Sequence, residues 1–188
     1  MEEFIMKKLI LSAFVSMGLC FGASIDTSKI EMYWAGYKFA NKTAVKGTFK
    51  DISYKLKKNQ GSIKDMLEGA TATIALSNLH TGNPTSEKNL TQGFFSNFAS
   101  PEIKVKITQV MEGDNQGTLL AKVTMNKTSQ SIPMQYTIMD GKIQAKGVLD
   151  ILNFKLNKAL EGLIQTCGQL HKGYTWTQVE IGFSAPLQ

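Results

Sequence analysis

The side chains best suited to catalysis or metal binding are scarce in this 188-residue chain: two histidines and two cysteines. Cys167 and His171 stand four apart, so on a helix they share one face, a spacing compatible with metal ligation. Two ligands are too few for a metal site, and Cys167 falls on an apolar stripe, which reads as a buried structural thiol. His80 belongs to no nucleophile or metal motif. These residues point away from an enzyme and from a metal or other resident cofactor. What remains is the chemistry of apolar and amphipathic side chains. Phe94, Phe95 and Phe98 form an aromatic cluster in sequence, able to serve as core or to touch an apolar guest. Tyr33 and Tyr136 each combine a ring with a hydroxyl able to hold a polar head group.

The elements that position these residues begin with the stretch from Ser77 to Ile107. A Thr81-Gly82-Asn83 turn leads to a short polar helix, capped by Thr85 or Ser86 and ending near Phe95. Pro101 breaks the chain, and a strand follows. Ile103, Val105 and Ile107 alternate there with Lys104, Lys106 and Thr108, the mark of one buried and one wet face.

The same patterning recurs along the chain. Strands are expected over 28–39, 44–57, 70–78, 102–111, 117–126, 131–139, 142–151 and 174–183. Asp140-Gly141 is a strong two-residue hairpin signal. One or two helical turns are expected over 62–69, with Ser62 as cap and Gly69 as stop. A long helical pattern over 153–171 carries an apolar stripe through Leu156, Leu160, Leu163 and Cys167 and ends before Gly173. The fold class is mainly β: an eight-stranded antiparallel barrel with two or three short helices, since closure removes sheet edges. Parity puts Ile74, Ile103, Val105, Ala121, Val123, Tyr136, Ala145 and Leu149 on the inner face. Several inward positions are small, which favours a ligand cavity over a solid core.

The formal charge is +6, yet every basic residue is lysine and arginine is absent. Lysines spread over strand faces fit a solvated surface better than a nucleic-acid partner. At the N-terminus Lys7 and Lys8 precede an apolar run from Leu9 to Leu19, with small residues at Gly22, Ala23 and Ser24. This is the layout of a signal peptide, with Met6 the expected start and cleavage between residues 22 and 24. The expected organisation is a signal peptide over 1–23 and one domain over 24–188, exported to the periplasm. No membrane-spanning segment remains in the mature chain, and Cys167 is its one thiol. Glu87-Lys88-Asn89-Leu90-Thr91 also matches an extended acidic glycosylation sequon.

Four passages resemble the YceI-like family of periplasmic, polyisoprenoid-binding, lipocalin-like barrels. Val45-Lys46-Gly47-Thr48-Phe49 is similar to its V-x-G-x-F strand. Asn78 to Phe95 is similar to its T-G-N turn, short helix and aromatic pair. Ser100-Pro101-Glu102-Ile103 is similar to its Y-P-x-I strand start. Leu119 to Asn126 is similar to its strand ending in a turn. Typical members carry Arg-Asp after the T-G-N turn, where Ser86-Glu87 stand here. The resemblance implies a barrel enclosing a long apolar chain, an isoprenoid quinone or polyprenyl lipid, for transport, storage or sensing. It implies a short helix that covers the barrel, and it is compatible with a homodimer. A fatty acid or its amide is an alternative guest. A filled barrel acting through its surface, in stress response or partner binding, is an alternative role.

Overall fold

The computed structural model describes residues 23–188. The expected signal peptide and Met6 lie outside the described residues, save its last residue, Ala23.

Among the described residues twelve strands form in chain order: β1 (Ala23–Ser24), β2 (Glu31–Lys38), β3 (Thr43–Phe49), β4 (Ser53–Lys55), β5 (Gln60–Gly61), β6 (Thr71–Ala75), β7 (Leu79–His80), β8 (Glu102–Gly113), β9 (Gln116–Met125), β10 (Thr128–Met139), β11 (Lys142–Asp150) and β12 (Gln178–Pro186). Three α-helices lie between them: α1 (Ile63–Leu67), α2 (Pro84–Asn89) and α3 (Asn157–Cys167). β1 pairs with β5 in a separate two-stranded ladder, and Ser24 also exchanges backbone hydrogen bonds with Gln188. The other strands form one antiparallel sheet in the order β4-β6-β8-β9-β10-β11-β12-β2-β3-β7. Eight of its ten strands have five or more residues and correspond to the eight expected; of the two short edge strands, β4 is the second half of the expected 44–57 segment and β7 is an addition.

Closure of the barrel rests on one bent segment. Residues 71–75 pair with β8, and after a 3-10 turn Leu79 and His80 pair with Phe49 and Thr48 of β3. Asn78 extends this seam, its carbonyl accepting from Lys50 N and its side chain donating to Lys50 O. The two ends of the curled sheet are thus bridged by a single stretch of chain.

Turn chemistry fixes several boundaries. Asp140 and Gly141 both take positive φ, at 51° and 68°, as a primed hairpin turn requires. The 44–57 segment divides because Asp51 takes φ 52° and ends the ladder after Phe49. Ser62 caps α1 by accepting from Asp65 N at 3.1 Å. Asn83, rather than Thr85 or Ser86, caps α2: its Oδ1 accepts from Ser86 N at 3.0 Å, with Pro84 set for the first helical position. The long helical pattern also divides. Ile151–Phe154 is a 3-10 turn, Lys155 at φ 58° stops it, and α3 begins at Asn157. A further 3-10 turn, Gly168–His171, leads to Lys172 and Gly173 at positive φ, where Gly173 N donates to Gly168 O.

The core fills one end of the barrel. Ile63, Met66 and Leu67 of α1, which packs on β8, share one buried cluster there with Val110, Leu119, Met134, Tyr136 and Ile143. Among the described residues no charged or polar one is fully buried. Lys104, Lys106, Lys122 and Lys146 stand on the outer face, as alternation requires. Among the described residues no helix is long and apolar enough to cross a membrane.

Candidate ligand-binding site

The other end of the barrel is hollow, with a cavity of about 240 Å³. Its walls come from alternate positions of adjacent strands. β8 supplies Ile103 and Val105, β9 Val123 and Met125, β11 Leu149, β12 Val179 and Ile181, β2 Trp34, Gly36 and Lys38, and β3 Val45 and Phe49. The cross-strand pairs Val105–Val123, Leu149–Val179 and Ile181–Trp34 carry this inner face around the sheet.

Two helical segments cap the hollow. After α2 the chain widens into a π-helical turn, Leu90–Phe94, and then a 3-10 turn, Phe95–Asn97. Turns of this kind occur often at functional sites. This one gathers Phe94, Phe95 and Phe98 with ring centroids 5.1 to 5.3 Å apart, edge to face. Phe49 of the barrel wall meets Phe95 at 6.0 Å. Each such pair stabilises by roughly 0.5–1.5 kcal/mol beyond area burial. The second segment is α3, which turns Leu163 and Cys167 to the cavity. The two segments meet backbone to backbone at Gly93 and Gly162. A Cβ on Gly93 would lie 3.1 Å from Gly162 O, and one on Gly162 would lie 2.8 Å from Asn97 Nδ2. Only glycine allows this approach.

Hydrogen bonds hold the cap in place. Glu87 accepts from Thr81 N at 2.7 Å, and this bond, with the neighbouring His80, holds its carboxyl below the usual range. Asn126, at φ 49° in the β9–β10 turn, accepts from Ala99 N and donates to Phe154 O and Lys155 O. One side chain therefore ties that turn to the segments leading into and out of the cap. Asn89, the sequon asparagine, faces the cavity from the last position of α2.

Of the residues expected from sequence, Ile74, Phe94, Phe95, Phe98, Ile103, Val105, Val123 and Leu149 come together around this hollow. Tyr33 borders it, but stands on the outer parity of β2 with its ring over Gly182. Burial, with Glu180 close by, pushes its phenol up. Ala121, Tyr136 and Ala145 face inward, yet they belong to the packed core and do not border the cavity. Tyr136 lies at the plugged end, its ring against Gly117, where burial and Glu112 push its phenol up. It holds no position at a mouth. Parity assigns the face of a strand and leaves depth along the barrel open.

Sequence reasoning passed over the residues at the open end. Trp34 and Trp176, which were not among the expected site residues, both border the hollow. The indole of Trp176 donates to Phe39 O at 2.8 Å, and the Lys42 ammonium sits 4.5 Å above its ring. Cys167 Sγ lies 4.0 Å from His171 Nδ1, and among the described residues no group of three metal-ligating side chains forms around them or elsewhere. Burial pushes the Cys167 thiol up and the His171 imidazole down. Two buried polar atoms on the wall, Trp34 Nε1 and Thr175 Oγ1, have no hydrogen-bond partner among the described residues.

A curled antiparallel barrel, plugged at one end and capped over an apolar hollow at the other, defines the class: a barrel built around an internal cavity. The family model for the YceI-like domain matches residues 24–185, and the chain belongs to the YceI-like family. Solved structures share the fold. Burkholderia cenocepacia BcnA is 15% identical with a TM-score of 0.61, covering 87% of this chain and 99% of that one. A polyisoprenoid binding domain from Saccharophagus degradans, implicated in plant cell wall breakdown, is 13% identical with a TM-score of 0.57, covering 89% and 98%. A mutant Campylobacter jejuni YceI protein with a monobromobimane guest is 19% identical with a TM-score of 0.57, covering 97% and 98%. Comparison with curated proteins gives no match.

Proposed function

We propose that this protein is exported to the periplasm and holds one long apolar chain, an isoprenoid or other lipid tail, for transport, storage or sensing, without catalysis. The observation that carries the reading is the capped hollow, walled by aliphatic and aromatic side chains from β2, β8, β9, β11 and β12. Each methylene moved from water into such a site contributes about 0.8 kcal/mol, so a long tail binds without specific polar contacts. Membership of the YceI-like family and the likeness to a polyisoprenoid binding domain support the same guest class. The cationic, apolar and small-residue pattern before Ser24 supports export.

The test is expression with the native N-terminal segment, cell fractionation, and mass analysis of the purified protein and its organic extract. The expected result is a mature chain beginning at residue 23 or 24 in the periplasmic fraction, with a long-chain lipid extracted in near-equimolar amount. A full-length cytoplasmic product contradicts the export reading. A protein that neither carries nor takes up lipid contradicts the binding reading.

A further inference from the structure

The two ends of the cavity differ in charge. At one end Lys38 follows Trp34 and Gly36 on the inner face of β2 and borders the hollow. Its backbone pairs directly with Thr175, whose hydroxyl is buried without a partner. Lys38 makes no ion pair with any carboxylate among the described residues. His171 and Cys167 close the same end, and Lys42 adds a second positive charge at its rim, over Trp176. At the other end the cavity meets a second depression at Met32, Thr48 and Phe49, and that depression is lined by Glu31 and Asp51. Glu31 and Lys38 bound β2, so the ends lie about 23 Å apart at about 3.3 Å per residue.

We propose that the Lys38–Thr175 end is the subsite for an anionic head group, a carboxylate or a phosphate monoester carried on a long apolar chain. The assignment rests on the lipid-binding reading and adds to it the charge of the head and the direction of insertion. An ammonium at the margin of an apolar hollow gains a charge-assisted bond when an anion arrives. The Thr175 hydroxyl donates to the same anion and loses its unsatisfied state. Lys38 and Lys42 draw an anion to their end, and Asp51 stands at the opposite one, so the tail runs toward Phe49. A neutral head satisfies neither the lysine charge nor this polarity.

Displacement of a fluorescent lipid probe from the full mature chain measures affinity for hexadecanoate, hexadecyl phosphate and methyl hexadecanoate. Both anions are expected to bind about tenfold more tightly than the ester. Whichever anion binds tighter identifies the source, lipid carboxylate or lipid phosphate. The preference is expected to fall to near unity in Lys38→Gln, to survive in Lys38→Arg, and to shrink in Thr175→Val. Equal affinity for acid and ester overturns the head-group assignment and leaves the lipid reading standing. A preference that persists in Lys38→Gln overturns the assignment to this end. Binding of none of the three overturns both.

Discussion

Substitution of Gly36 separates cavity occupancy from stability. Gly36 lies on the inner face of β2 between Trp34 and Lys38, and an ideal Cβ there would meet only Trp34 Cζ3, at 4.0 Å. Its φ lies outside the left-handed region, so a larger residue fits the backbone. A leucine at this position grows into the hollow rather than into protein. Its four side-chain carbons exclude about four methylenes of an apolar guest. At about 0.8 kcal/mol each this costs about 3 kcal/mol of binding, on the order of 200-fold in Kd. The unliganded protein moves the other way. Glycine within a strand costs roughly 0.5–1 kcal/mol, and the leucine buries new apolar surface, so Tm rises by a few degrees. Gly47 provides the contrast, since its Cβ would lie 2.7 Å from Trp34 Cε2 and Gly47→Ala must displace the indole. That variant loses about 1–3 kcal/mol. Probe displacement and thermal unfolding on the delipidated proteins measure both quantities. Undiminished binding in Gly36→Leu would refute the reading that the guest occupies this hollow. A fall in Tm like that of Gly47→Ala would refute the statement that the space beside Gly36 is open.

Three further outcomes follow from the cap and the open end. Gly162→Ala forces α3 away from Gly93 O, so it is expected to lower stability by about 1–3 kcal/mol and to speed lipid release in stopped-flow dissociation. The His171 imidazole is held below its ordinary range by burial first and by the Lys38 charge second. Its neutral form is therefore the one the fold accommodates. The associated stability is present above pH 6.5 and is lost as pH falls below it, because the unfolded chain takes up the proton first. His171→Phe is expected to flatten this part of the stability–pH profile in denaturant titrations. Cys167 is 5% exposed on the cavity wall with its thiol pushed up by burial, so iodoacetamide should modify it far more slowly than a free thiol, and slower still with lipid bound.

Period-two patterning located the longer strands because each has one core face and one wet face. Lys104 and Lys106 against Ile103 and Val105 show it most clearly. The plug and the hollow were not separable by the same means. Val105 and Val123 border the cavity while Ala121, two residues from Val123 on the same face, is packed in the core. That difference is set by where α1 enters the barrel, a tertiary fact. The breaks were also hidden, because Asp51 and Lys155 adopt positive φ without being glycine. The aromatic trio was legible as a cluster, but its convergence depends on a π-helical turn that no residue pattern announced. Lys38 shares the inner face of β2 with Trp34, a face that sequence patterning did not assign. Its pairing with Thr175 joins residues far apart in the chain and became visible only once β12 was seen beside β2.

The central claim is that the capped hollow holds an apolar chain. A crystal structure of the protein purified directly from its native host, without delipidation, tests it most directly. The account predicts continuous tubular density in the cavity, running from Lys38 and Thr175 past Trp34 toward Phe49. A hollow closed by its own side chains, or filled by ordered water alone, would contradict it.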